Sequence, residues 1–236
     1  MAESLNKVER RVFGVLLEKA LAQPQYYPMT VNAIVTGCNQ KSNRDPVMQL
    51  DEDAVWNTLE VLRAGGLVTR LLPGGASRVE RFRHETKEIF AWEKPQRAVM
   101  AELLLRGPQT VGELRAHCTR MFPFENTEAV EAVLENLGQE DPPRVAALPR
   151  TPGRSAVRYA HRLCSLEEWE QIAGGAMDVA ATEAESEDWV EPARETEMPG
   201  VIVESLRDEL ADVQEEMAEL HEAVTELRRR LEALEG

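Results

Sequence analysis

The chain has 236 residues and a formal net charge of −15, from 27 Lys and Arg against 42 Asp and Glu. The charge is lopsided, since residues 1–164 carry 22 basic and 20 acidic side chains whereas residues 165–236 carry 5 and 22. A near-neutral body lacks the strong basic field of a typical nucleic-acid binder, and no run of about 18 apolar residues occurs, so no membrane span is expected.

In chain order, Lys7–Leu21 sets Val8, Val12, Val15, Leu16 and Ala20 at spacings of three and four, which predicts an amphipathic helix. Thr30 is placed to N-cap a short helix ending near Cys38. The polar, Pro-terminated run Asn39–Pro46 reads as a loop. Asp51–Gly66 then reads as a third helix, Leu67–Leu72 as a strand, Pro73–Ser77 as a turn and Arg78–His84 as a returning strand.

The same order recurs about 75 residues later. Pro95–Leu105 matches the first helix and Thr110–Cys118 the second. Ala129–Leu137 echoes Ala54–Leu62, and Arg158-Tyr159-Ala160-His161 echoes Arg81-Phe82-Arg83-His84. Helices feeding a two-stranded hairpin, present twice, predict an α+β, mainly α, protein of two tandem winged-helix domains, 1–88 and 89–165. The copies differ between their second and third helices, where Thr119–Asn126 contains the apolar Met121-Phe122-Pro123-Phe124.

From Leu166 to Gly200 the composition turns to Ala, Glu, Asp, Gly and Thr, as expected of an acidic flexible linker. Residues 201–236 carry an unbroken heptad seam: Val203, Leu206, Leu210, Val213, Met217, Leu220, Val224, Leu227, Leu231 and Leu234. That seam predicts a coiled coil, and a second copy of the chain as its partner, hence a homodimer. Strand orientation stays open, because Arg230 with Glu235 suits a parallel pair and Arg207 with Glu235 an antiparallel one.

The run Cys38-Asn39-Gln40-Lys41-Ser42-Asn43-Arg44-Asp45-Pro46-Val47 resembles the hallmark of the YceH-like family of uncharacterised bacterial proteins. Arg106-Gly107-Pro108-Gln109-Thr110, Glu113-Leu114-Arg115, Leu148-Pro149-Arg150 and Pro152-Gly153-Arg154 resemble it too, over roughly residues 5–163. The resemblance implies a tandem winged-helix fold and supplies no catalytic residues. The first wing, with Pro73-Gly74-Gly75-Ala76, departs from the family by its extension.

Lys41, Ser42, Asn43 and Arg44 are candidate phosphate donors, with Arg70 and Arg78 on the first wing and Arg150 and Arg154 on the second. The competing readings are turn capping for Ser42 and Asn43, and ordinary surface arginines for the wings. The third helices turn Glu52, Asp53 and Glu60, and then Glu128, Glu131 and Glu135, outward, which opposes approach to phosphates. Cys38 with Cys118, and His84 with His161, hold matched positions that suggest zinc, but their spacing fits no zinc pattern and packed cysteines are expected. No cofactor, metal or catalytic constellation is expected. Three cysteines without Cys-x-x-Cys, and an N-terminus with no signal-like pattern, point to the cytoplasm. The expectation is a non-enzymatic homodimer that binds duplex DNA or regulates. The alternative is a protein-interaction adaptor like the acidic tandem winged-helix subunits of chromosome-condensation complexes.

Overall fold

In the computed structural model, residues 4–73, 79–150 and 156–174 are described. Arg78, Arg154, residues 175–200 of the expected linker and the whole heptad seam from Val203 to Leu234 lie outside them.

Helix α1 (Lys7–Ala22) starts where Asn6 Oδ1 accepts from the amides of Val8 and Glu9, at 2.9 Å each, while Glu9 accepts from the Asn6 amide. This reciprocal cap satisfies donors that a helix start otherwise leaves orphaned. Thr30 caps α2 (Val31–Cys38), as its position predicts, and Asp51 caps α3 (Glu52–Ala64) by accepting from the Ala54 amide at 2.7 Å. Gly66, at φ +80°, takes the left-handed turn that leads the chain into β1 (Val68–Leu71). Strand β1 pairs antiparallel with β2 (Arg81–His84), with Val68 opposite His84 and Leu71 opposite Arg81. Met29 adds an extended rung on the other edge of β2 by exchanging backbone hydrogen bonds with Phe82.

The boundary expected between residues 88 and 89 falls in a short helix, α4 (Thr86–Phe90), ended by Ala91 in the left-handed region at φ +54°. Helix α5 (Lys94–Arg106) follows, then β3 (Gln109–Thr110), α6 (Val111–His117) and α7 (Thr127–Gln139). Strands β4 (Val145–Ala147) and β5 (Arg158–His161) complete a three-stranded antiparallel sheet of order β3-β5-β4. The pairing of β3 with β5 repeats the pairing of Met29 with Phe82, so the two passes correspond element by element. The architecture is thus mixed α+β and mainly helical. Among the described residues no helix is long and apolar enough to cross a membrane.

The two repeats share one core. Helices α1 and α5 form the broadest helix–helix contact, bringing Phe13, Leu16 and Leu17 into the same apolar cluster as Leu103, Leu104 and Leu105. Burying each such side chain contributes about 1.5–3 kcal/mol. Their close approach depends on Gly14, where a Cβ would lie 3.0 Å from Leu105 and 3.2 Å from the Leu104 Cβ.

The acidic stretch expected to be a linker from Leu166 onward begins instead with a helix, α8 (Leu166–Ala173), capped by Ser165. Glu167 and Glu170 face outward while Ile172 and Trp169 pack with Ala160 and Cys164. An ion pair between Glu168 and Arg10 ties it to α1.

Candidate functional site

The polar loop after α2 is organised from within by Arg44, whose side chain is 0% exposed. Arg44 Nε donates to Gly37 O at 2.9 Å, and the guanidinium also donates to Asn43 O, Gln40 Oε1 and Glu18 Oε2. Arg11, equally buried on α1, donates to Cys38 O at 2.9 Å and to Pro46 O at 2.5 Å. The last carbonyls of a helix lack partners within it and carry partial negative charge, and two guanidiniums supply both donors and counter-charge here. The expectation that Arg44 reaches phosphate is therefore corrected: it closes the C-terminal end of α2.

The rest of the loop stays at the surface. Asn43 takes φ +60° and accepts from Arg106 at the end of α5, so it fastens the loop to the second repeat. Lys41 and Ser42 are exposed and make no side-chain hydrogen bond or ion pair among the described residues.

On the first hairpin, Arg70 is half-buried over the Trp56 ring at 5.7 Å and lies 3.5 Å from Glu60. A cation committed to a ring and a carboxylate has less to offer a phosphate. Arg150 is exposed just past β4. The matched arginines Arg81 and Arg158 do the same work in each repeat, donating to the carbonyls of Pro28 and Pro108 respectively. On the outward faces of α3 and α7, Glu52, Asp53, Glu128, Glu131 and Glu135 are exposed, as expected. Exposed apolar side chains also occur on the first repeat: Val61 on α3, Leu72 just past β1 and Val79 just before β2.

Cys38, Cys118 and Cys164 are free and buried. Burial pushes the Cys38 thiol up to about 12, so it is neither a ready nucleophile nor a ready ligand. Among the described residues no cluster of three His, Cys, Asp or Glu could hold a metal. Burial, aided by Arg97, pulls His84 down to about 4, and its Nδ1 lies 3.0 Å from the Thr86 hydroxyl. His161 is pulled down to about 3 by burial and by the charge of Arg10. Glu102, inside the contact between the repeats, is pushed up to about 7 by burial despite Arg106 at 3.0 Å.

One cavity of about 370 Å³ was not visible in the sequence. It opens where α1, α5, β5 and α8 meet the loop from Asp45 to Met48. Six separate segments contribute to its wall, so no local motif marks it.

A mixed α+β, mainly helical chain, built twice over on one element order around a shared core, is the class these observations define. Residues 5–154 match the family described as protein of unknown function, DUF480. The chain belongs to that family, and the resemblance read from Cys38–Val47 holds. It is 50% identical over 159 residues to a UPF0502 protein of Geobacter sulfurreducens, covering 67% of this chain and 72% of that one. A UPF0502 protein of Geotalea daltonii is 51% identical over 160 residues, covering 68% and 72%. One of Azoarcus sp. is 46% identical over 177 residues, covering 75% and 78%.

Proposed function

We propose that the protein is a non-enzymatic, cytoplasmic tandem winged-helix adaptor that engages a protein partner, and that it dimerises through the heptad seam of residues 201–236. The observation that carries this reading is the disposition of charge on the first repeat. Arg44 is enclosed by α2 and Glu18, and Arg70 is held by Trp56 and Glu60. The faces that would approach a duplex are led by carboxylates, which phosphates repel. Exposed Val61, Leu72 and Val79 supply apolar anchors, and a partner with cationic groups around an apolar centre would complement them.

A second reading, duplex DNA binding, is favoured by one specific observation. Lys41 and Ser42 stand exposed on a loop held rigid from below, which is how a phosphate contact is presented.

A gel shift with random duplex at low salt separates the two, together with photo-crosslinking residues placed at Val61 and Leu72 in cells. The adaptor reading expects no shift and a discrete crosslinked protein at both positions. A shift that weakens on Lys41→Ala, with a salt slope lower by about one, would replace it with the DNA reading.

A further inference from the structure

The cavity between α1, α5, β5 and α8 has the make-up of a ligand site. Its volume, about 370 Å³, falls within the usual range for small-molecule pockets. At about 30 Å³ per water-sized unit it holds about a dozen non-hydrogen atoms. Leu103 and Leu104 of α5, Leu148 and Ile172 give it an apolar wall.

Its charged groups do not balance. Lys7, Arg10, Arg11, Arg106 and Arg158 line it against two carboxylates, Asp45 and Glu168. Arg10 and Glu168 neutralise each other in an ion pair and Arg106 pairs with Glu102, which leaves Asp45 to set against Lys7 and Arg11. Lys7, in the first turn of α1, has no ion pair among the described residues. His161 is 5% exposed and its side chain makes no hydrogen bond among the described residues; its Nδ1 is fully enclosed. The Arg11 Nε is likewise enclosed and without an acceptor. Buried polar groups in folded proteins are nearly always satisfied, so these two unpartnered nitrogens mark the α1 and β5 side of the cavity as its polar side.

We propose that this cavity binds a small amphipathic carboxylate, an aliphatic or aromatic acid of about a dozen non-hydrogen atoms. Its carboxylate lies on the cationic side formed by α1 and β5, and its apolar body against α5 and α8. An organic cation would meet like charge on that wall. An uncharged hydrocarbon would leave Lys7 without a counter-charge, and inorganic phosphate would leave the apolar wall empty. The site stands apart from the adaptor reading, since none of its walls is the outward face of α3 or the first hairpin.

Octanoate, 1-octanol and octylammonium, which share one apolar body and differ in head group, test the assignment on the full-length chain without nucleic acid or partner. At a hundredfold excess over its Kd, octanoate raises the Tm by on the order of 5–10 °C. Octanol and octylammonium at the same concentration raise it by less than a third as much. Ile172→Trp, which fills the cavity from α8, abolishes the octanoate shift. In case that variant fails to fold, the imidazole nitrogen signals of His161 in the unaltered protein provide the second reading, and they move on octanoate addition. Equal shifts from all three ligands, no octanoate binding, or binding that leaves the His161 signals in place would each overturn the site.

Discussion

Glu18 on α1 and Arg44 in the loop after α2 lie 2.6 Å apart, with the guanidinium wholly withdrawn from solvent. This pair lets a run of polar residues behave as a structural bolt. Glu18 supplies the counter-charge, and the Gly37 carbonyl takes the Nε proton. Removing one partner of a buried pair leaves the other charge uncompensated, and here also strips a donor from the end of α2. Arg44→Ala is expected to lower stability by about 3 kcal/mol, towards the lower end of the range for such pairs because Glu18 keeps some solvent contact. Arg44→Lys should recover less than half, since an ammonium cannot reproduce the planar fork. Urea unfolding followed by circular dichroism measures both, and a loss below about 1 kcal/mol for the alanine variant would contradict this account.

Acid stability sets buried groups against one another. His84 and His161, pulled down to about 4 and about 3, remain neutral in the folded chain while the unfolded chain takes up protons below about 6.5. His117, also lowered by burial, adds in the same sense. Glu102, pushed up to about 7, does the reverse, because between about 4.5 and 7 the folded chain holds a proton that the unfolded chain has lost. The histidines' contribution is present above about 6.5 and falls away towards their folded values. That of Glu102 is full below about 4.5 and lost as pH rises through 7. Counting His84 and His161 against Glu102, stability should fall by about 1.4 kcal/mol per unit as pH drops from 6.5 to 5. In Glu102→Gln the opposing contribution is gone, and the slope should steepen to about 2.7 kcal/mol per unit. Urea midpoints across that window give the slopes directly; equal slopes for the two proteins would refute the assignment to Glu102.

Two glycines should answer oppositely to substitution. Gly14→Val would press against Leu105 and the Leu104 Cβ where α1 crosses α5, and a Cβ alone already meets them at 3.0–3.2 Å. A loss of about 1–3 kcal/mol is expected. Gly112 on α6 has open space around it, so Gly112→Ala should gain about 0.5–1 kcal/mol from helix propensity and a less disordered unfolded chain. Thermal melts of the two variants decide it, and a neutral Gly14→Val would show that the helices can part without penalty.

Dimerisation is expected of the heptad seam, from Leu206 to Leu234 in the sequence. Light scattering should give twice the chain mass for the full-length protein and a single chain mass for one ending at Ala180. The same mass for both would remove the seam from the assembly.

The helices were legible because each buries a stripe whose spacing shows in the chain, as Val12, Val15 and Leu16 do on α1. The hairpins were legible because one copy supports the other, with Arg81–His84 repeated at Arg158–His161. The role of Arg44 was not, because a charged residue in a polar loop looks exposed until Glu18, 26 positions earlier, is brought against it. Helix α8 was hidden by its own acidity, since Leu166, Trp169 and Ile172 are few among glutamates. The cavity could not be read at all, because Arg10, Leu104, Leu148 and His161 meet only when both repeats have closed on each other.

The packing of α1 on α5 has a consequence for recognition. Tandem modules on a flexible tether surrender chain freedom when both engage one target, and their gain from linkage shrinks as the tether lengthens. With Gly14 seated against Leu105, the two hairpins are carried by one core at a set spacing. Under the adaptor proposal, a target that touched both hairpins would meet them at that fixed spacing and would not pay that entropic loss.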